Sequence, residues 1–120
     1  IVLDNAVDVT LDGQDEWGGL RTLMRELKWW ARETQAAVVV CHHTSEGVNG
    51  NPCPPRSALH GKIAQTPSLI LTVVNQPGVM GVCAVKNRYG PADATGATPI
   101  WLQYNPAAMQ VLDLSTGTLL

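Results

Sequence analysis

The stretch VVVCHHT, residues 38–44, joins a run of valines to two adjacent histidines and a threonine. A short β-branched run of this kind is typical of a buried strand, and it is too short for a helix. Residues 37–41 are therefore predicted to form a strand. Two imidazoles and a hydroxyl directly after such a strand indicate a site where a sheet ends.

A second apolar run ends in a similar way, because Ile1, Val2 and Leu3 lead directly into Asp4. An acid at the end of a buried strand is costly unless it binds something positive. Mg²⁺, held through water, is a common reason for such an acid in phosphate chemistry. The alternative is that Asp4 caps a helix or accepts a hydrogen bond from a loop. Because the chain opens inside an apolar run without a methionine, we interpret it as part of a longer polypeptide.

The spacing of apolar residues places further elements between and after these strands. Apolar residues recur at three- and four-residue steps over residues 17–35, which predicts an amphipathic helix. The order of strand, helix and strand predicts a parallel pair, and ligands bind beyond the carboxyl ends of such strands. Asp4, His42 and His43 are therefore expected to face one crevice. Further elements are predicted as a loop over 44–57, a short helix over 58–65, strands over 69–74 and 81–85, a loop over 87–97, and a hairpin of 100–104 with 109–112.

Composition limits the class of protein. The 120 residues suit one domain with 45% hydrophobic and 15% charged residues, which is typical of a globular protein. The net charge of −2 gives no chain-wide attraction to nucleic acid or membrane. No apolar run approaches the roughly 20 residues that span a bilayer. The three cysteines lack a C-x-x-C pair, which favours free thiols in a reducing cytoplasm.

The two histidines admit three interpretations. Alternation along a strand points His42 and His43 to opposite faces, so they do not easily converge on one ligand. Either ring alone is more often a satisfied core histidine than a ligand. A zinc site from Cys41, His43, Cys53 and His60 is an alternative, although this spacing matches no usual structural zinc pattern.

A basic pair follows the fourth predicted strand, in the stretch KNRYGP at residues 86–91. Lys86 and Arg88 are two residues apart, so in extended backbone they share a direction and both could reach one phosphate. Arginine would do so through two hydrogen bonds and lysine as a point charge. By itself such a pair more often decorates a solvated turn.

The order of these features resembles the second half of the RecA-like ATPase core of hexameric replicative DNA helicases, of the DnaB, phage primase–helicase and RepA types. The series runs from an acid at a strand end through a helix, a strand ending in histidine, a small helix with glutamine and a further strand to K-x-R before glycine. It covers nearly the whole chain. The resemblance implies an α/β fold, the RecA-like P-loop core, with a parallel sheet and antiparallel hairpins at its carboxyl end.

The resemblance also implies an activity, cofactors and partners. The chain would be part of a motor that couples ATP hydrolysis, with Mg²⁺, to movement on single-stranded DNA. It would form a homo-hexamer, with a primase or helicase loader as a further partner and no membrane. It would work in the cytoplasm of a bacterium or a phage-infected cell.

The same resemblance implies a role for each matching residue. Asp4 would hold the hydration shell of the metal ion, and His43 would be the sensor that reads the γ-phosphate. Lys86 and Arg88 would reach the nucleotide of the neighbouring subunit, with Arg88 as the arginine finger. The remaining matches concern DNA coupling and the adenine base, and they fall on Gln65, Arg56 and Lys62 for DNA and on Trp101 for the base. The loops 44–57 and 75–80 would face the channel that holds DNA.

The chain also departs from this family pattern. It contains no G-x-x-x-x-G-K-[ST] phosphate loop, and Gly61-Lys62 lacks the upstream glycine and the following hydroxyl. The upstream glutamate that would activate water is missing as well. The chain alone is therefore predicted neither to bind ATP tightly nor to hydrolyse it. Two alternatives remain open: another RecA-like ATPase, such as a recombinase or plasmid-replication protein, and a non-catalytic interaction module that could hold zinc.

Overall fold

The computed structural model describes residues 1–9, 15–45 and 50–114, and these residues belong to two compact units. Unit 1 comprises Ile1–Glu46 and Leu59–Pro67, and unit 2 comprises Gly47–Ala58 and Ser68–Leu120. Each unit has its own sheet, so each is described by itself.

Unit 1 is built on one helix and one pair of short strands. Strand β1 spans Val2–Leu3 and pairs in parallel with β2, Val39–Val40. The helix α1 spans Glu16–Glu33, and short 3₁₀ helices span Ala6–Asp8 and His60–Gln65. A parallel connection of this kind needs a crossover, which α1 supplies.

The core of unit 1 lies on the apolar face of α1. Leu20, Leu23 and Met24 recur at three- and four-residue steps, and each is less than 9% exposed. They pack with Ala6 from the first 3₁₀ helix and Ile63 from the second. The partly buried hydrophobic side chains around this core are Leu3, Leu27, Val40 and Leu59.

Unit 2 contains a four-stranded antiparallel sheet with the order β3-β4-β5-β6. The strands are β3 (Leu69–Gln76), β4 (Val79–Asn87), β5 (Ile100–Asn105) and β6 (Gln110–Asp113). The turn between β3 and β4 is Pro77-Gly78, and Gly78 has a φ of +76°, which glycine adopts without steric cost. Neighbouring strands along the chain are thus also neighbours in the sheet.

The two faces of this sheet differ in exposure. Ile70 and Thr72 on β3 are buried together with Cys83 and Val85 on β4. On the other face of β3, Leu69, Leu71 and Val73 are each about half exposed. β3 therefore has one buried side and one apolar side that is half exposed to solvent.

The predicted RecA-like fold with its parallel sheet is wrong. The parallel part is a pair of two-residue strands, and the remaining strands form a separate antiparallel sheet. The error came from extending the order of strand, helix and strand, which does form a parallel pair, to a whole parallel sheet of the RecA-like type. The short Pro77-Gly78 turn instead brings β3 onto β4, and all eight residues of β3 pair with β4.

The predicted positions of the main elements are confirmed even though their arrangement is not. The structure contains the strand before Asp4, the amphipathic helix, the strand before His42, and the four later strands. The short helix predicted over 58–65 is found as the 3₁₀ helix His60–Gln65, and a further 3₁₀ turn precedes it at Arg56–Ala58.

Candidate functional site

The candidate site lies where β1 and β2 end, in unit 1. Their pairing continues beyond the strands, since Cys41 N–H donates to the Leu3 carbonyl at 2.9 Å and Ala6 N–H donates to the Cys41 carbonyl at 3.0 Å. These hydrogen bonds bring Asp4 and Asn5 to the same edge as residues 41–43. The Asp4 and His43 side chains are both exposed there, so a ligand in solvent can reach them.

Asn5 supports the ring of His43 across this edge. The Asn5 Nδ2 atom lies 3.1 Å from His43 Nε2. When the Asn5 amide donates, Nε2 is the acceptor and the proton of the neutral ring is on Nδ1. His43 then has an N–H group available to a ligand oxygen, and Asn5 holds the ring that carries it. Sequence reasoning assigned no role to Asn5, although its position directly after Asp4 is a signal that could have identified it.

His42 differs from its neighbour in exposure. It is half-buried, whereas Cys41 and His43 on either side of it are exposed. Both ring nitrogens of His42 are buried. The alternation expected from strand geometry thus extends beyond the end of β2, and His43 is the histidine that solvent reaches.

The basic pair Lys86 and Arg88 lies in unit 2, at the end of β4. The pairing of β4 with β3 skips Val85, since Leu71 pairs with Ala84 and Ile70 pairs with Lys86. A bulge of this kind re-aims the side chains that follow it. Arg88 N–H donates to the Ser68 carbonyl at 3.0 Å, and the Arg88 side chain is exposed. The pair therefore belongs to a defined strand end in a different unit from Asp4 and His43.

The residues expected to couple to DNA are divided between the two units. Gln65 is exposed at the last position of its 3₁₀ helix, in unit 1. Arg56 is in unit 2, where its N–H donates to the Ala94 carbonyl at 3.0 Å. The side chain of Lys62 lies outside the described part of the chain, as do residues 46–49 of the predicted DNA loop. The structure does not bring Gln65 and Arg56 together within one unit.

The second half of that predicted loop is held against residues 94–96. Asn51 donates from Nδ2 to the Thr95 carbonyl at 2.8 Å, and Cys53 N–H donates to the Gly96 carbonyl at 3.1 Å. Residues 51–56 thus have fixed backbone partners. The other predicted DNA loop, 75–80, is the tip of the β3–β4 hairpin.

Trp101 has a packing role in the structure. It is half-buried on β5, and its ring lies across Gly81 of β4, where a Cβ atom would come within 3.0 Å of the ring. The contact explains why a glycine occupies this strand position. The proposed contact of Trp101 with an adenine base stays a prediction.

The zinc alternative gains no support from the described residues. Among the described residues, no three His, Cys, Asp or Glu side chains lie close enough together to hold a metal ion. Cys41 and His43 belong to unit 1, while Cys53 is fully buried in unit 2. Burial raises the pKa of the Cys53 and Cys83 thiols, which disfavours the thiolate that zinc requires.

Asp93 organises a turn that sequence reasoning did not single out. Its Oδ1 accepts hydrogen bonds from the N–H and hydroxyl of Thr95, and its Oδ2 accepts from the N–H and hydroxyl of Thr98. These donors, with the Thr95 hydroxyl first, hold the pKa of Asp93 well below its usual range. The spacing D-x-T-x-x-T in residues 93–98 is the signal that could have predicted this turn.

Comparison with known proteins finds relatives among mycobacteriophages. No protein-family model matches the chain. The Gene 65 protein of Mycobacterium phage D29 is 34% identical over 122 residues, a match that covers 94% of this chain and 53% of that protein. The Gene 65 protein of Mycobacterium phage L5 is 35% identical over 122 residues, covering 94% of this chain and 46% of that protein. The chain thus spans about half the length of the curated relatives it matches, and it is similar to phage proteins.

Proposed function

We propose that this chain is part of an ATP-dependent DNA helicase motor that serves phage DNA replication. In this proposal it couples ATP hydrolysis to movement along single-stranded DNA in the cytoplasm of an infected bacterium. The observation that carries the proposal is the edge of unit 1, where an exposed acid and an exposed imidazole follow two parallel strands. The likeness to mycobacteriophage proteins supports the phage setting.

Asp4 suits an ion that is held mainly by water and nucleotide phosphates. It supplies one exposed carboxylate, and the described residues offer no cluster that would hold a metal without other ligands. Mg²⁺ keeps several waters and takes only one or two carboxylates at such sites. The ion would neutralise the charge that develops on the phosphate oxygens.

His43 suits the role of a sensor for the terminal phosphate. Its neutral ring, supported at Nε2 by Asn5, can donate from Nδ1 to a phosphate oxygen. Loss of that phosphate would remove the acceptor and allow the ring to change partner. The backbone hydrogen bonds of Cys41 tie this edge to β1 and to the first 3₁₀ helix, so the base of the ring is held by the fold.

Lys86 and Arg88 suit the nucleotide site of a neighbouring copy. Lys86 lies at the end of β4 and Arg88 directly follows that strand, and a guanidinium supplied from a neighbouring subunit stabilises charge in phosphoryl transfer. The proposal therefore includes a homo-hexameric ring, with a primase or helicase loader as a further partner.

A chimera tests the proposal, because the chain has no phosphate loop of its own. The matching segment of the phage D29 Gene 65 protein is replaced by this chain, and ATP hydrolysis is measured with and without single-stranded DNA. We expect DNA-stimulated hydrolysis in the chimera. Asp4→Asn and His43→Ala should each reduce kcat at least about 100-fold, the effect typical of a group that stabilises or positions the reacting phosphate.

The matched control is Asp8→Asn, which removes another exposed acid from unit 1. It should leave kcat within about twofold of the value for the unaltered chimera, provided that the effect of Asp4→Asn is local. Arg88→Ala should lower kcat while the affinity for ATP is retained. Absence of ATP hydrolysis in both the chimera and the unaltered D29 protein would sink the proposal, as would full activity of the Asp4→Asn chimera.

A further inference from the structure

Helix α1 carries a concentration of positive charge that the nucleotide chemistry does not use. Four of the eight lysines and arginines in the chain lie within its 18 residues. They recur at steps of four, three and four residues, so they form one stripe along the helix. The members of this basic stripe are Arg21, Arg25, Lys28 and Arg32.

The basic stripe faces away from the core of unit 1. Arg21, Arg25 and Arg32 are exposed, and Lys28 is half-buried. The stripe extends over 12 residues, or about 16 Å along the helix axis. Leu20, Leu23 and Met24 occupy a different, buried side of α1 and anchor the helix in the core.

An exposed tryptophan borders the stripe. The Trp29 side chain is 56% exposed, and it lies four residues after Arg25 and three before Arg32. Residues at these spacings are neighbours on a helix surface. Glu26 and Glu33 lie on the far side of Trp29, so they limit the positive surface on one flank. A large aromatic ring in solvent beside two guanidinium groups is difficult to explain by packing within the chain.

We propose that the basic stripe of α1, together with Trp29, binds single-stranded nucleic acid. The guanidinium groups match phosphates at intervals along a strand, and the indole offers a face on which an unpaired base stacks. The function proposed above already includes single-stranded DNA, and this surface adds a site for it on α1. Binding there needs no ATP, because neither Asp4 nor His43 takes part in it.

Charge and packing favour this ligand over three others. An anionic membrane would require an apolar helix face directed at the lipid, and the apolar face of α1 is already buried in the core. An acidic protein segment would satisfy the arginines, but it would give Trp29 no base to stack on. Double-stranded DNA keeps its bases stacked on each other and would likewise leave the indole unused.

The test measures binding of a fluorescein-labelled oligothymidylate of about 20 nucleotides to the whole chain, longer than the 4–16 nucleotides that such surfaces cover. Fluorescence anisotropy is recorded at low salt without ATP or Mg²⁺. Arg25→Ala combined with Arg32→Ala should weaken binding about tenfold or more. The slope of log K against log salt should also fall by about 1.4, as expected for two lost phosphate contacts on a single strand.

Trp29→Leu tests stacking separately, because leucine keeps an apolar side chain on the helix. It should weaken binding roughly 5- to 150-fold while leaving the salt slope unchanged. The control is Gln103→Glu combined with Gln110→Glu, two exposed positions of unit 2, which shifts the net charge by the same amount as the double arginine variant. This control should bind within about twofold of the unaltered chain.

Each other outcome overturns the proposal. Circular dichroism first verifies that every variant keeps its helix content, so that lost binding is not lost folding. No binding by the unaltered chain, or equal loss in the arginine variant and the charge control, would remove the assignment to α1. Equally tight binding to duplex DNA, to polyglutamate or to vesicles of phosphatidylserine, insensitive to Trp29→Leu, would identify a general polyanion surface instead.

Discussion

Gly96 occupies a position that has no room for a side chain. Its φ is +76°, and a Cβ atom there would overlap the carbonyl oxygen of Cys53. Cys53 N–H in turn donates to the Gly96 carbonyl at 3.1 Å. The close approach of residues 51–56 to this turn therefore depends on the absence of a side chain at position 96.

Gly96→Ala should destabilise the chain more than Gly78→Ala. Both glycines have a φ of +76°, so alanine at either position costs roughly 1–2 kcal/mol in backbone strain. Only Gly96 adds a steric overlap, which we expect to cost a further ~1–3 kcal/mol, because nothing lies within 4 Å of a Cβ at Gly78. Urea unfolding of the two variants measures the difference. Equal losses would mean that residues 51–56 do not pack on the turn as described.

At the scale of local elements, the turn formed by residues 93–98 depends on one ionised carboxylate. Asp93 accepts hydrogen bonds from both Thr95 and Thr98, and its own N–H donates to the Ala84 carbonyl at 2.9 Å. The turn is thereby joined to β4. A depressed pKa in the folded state means that the ionised form stabilises the fold.

Asp93→Asn should therefore lower the melting temperature at neutral pH. Asparagine presents an amide NH₂ where one carboxylate oxygen now accepts from Thr98, so that acceptor is lost. The stabilisation from Asp93 is present above the ordinary aspartate pKa of about 3.9 and is lost as the pH falls below it toward the depressed folded value. The difference in melting temperature between the two proteins should accordingly narrow in acid.

The matched control for this titration is Asp8→Asn, which alters an exposed aspartate in unit 1. Thermal melts of all three proteins between neutral pH and strong acid provide the comparison. A gap between Asp93→Asn and the unaltered chain that widens in acid would have the wrong sign and would contradict the assigned network.

Helix α1 illustrates how far an element is predictable. Its leucines at three- and four-residue steps indicated both the helix and its buried face, because that periodicity reflects the helix itself. The hydrogen-bond partners of residues 50–57 were not predictable in the same way. Their partners are the carbonyls of residues 94–96, some forty positions away, and nothing in the local pattern points to them.

At the scale of the whole molecule, the reactivity of the three cysteine thiols shows whether both units are folded. Cys41 is exposed in unit 1, whereas Cys53 and Cys83 are buried in unit 2. Burial also raises the pKa of the two buried thiols, so little thiolate is present at neutral pH. Their reactivity should therefore differ sharply from that of Cys41.

A disulfide reagent such as Ellman's should titrate one thiol quickly and two slowly. The fast phase belongs to Cys41 and should vanish in Cys41→Ser. The slow phase should follow opening of unit 2 and become fast in denaturant, where all three thiols react. Two or more fast thiols in the native chain would show that unit 2 does not protect its core.

Two findings at this scale concern the helices and the order of the strands. Within the described residues, no helix is long and apolar enough to cross a bilayer. The expectation of a RecA-like parallel sheet is wrong, as the order of the strands in unit 2 makes plain. The roles proposed for Asp4 and His43 do not require that sheet, since the β1–β2 pair alone brings both residues to one edge.

The sequence by itself determined where the elements lie and what ends them. Periodicity, turn residues such as Pro77-Gly78 and the acid and imidazole after apolar runs all act over a few neighbouring residues. Only the tertiary structure decided that β3, β4 and β5 pair in one antiparallel sheet, and that Asn5 contacts His43. Backbone hydrogen bonds are the same for every sequence and do not by themselves select a partner strand. The pairing of a strand such as β3 therefore depends on the packing of distant side chains and on the cost of closing the connecting loop.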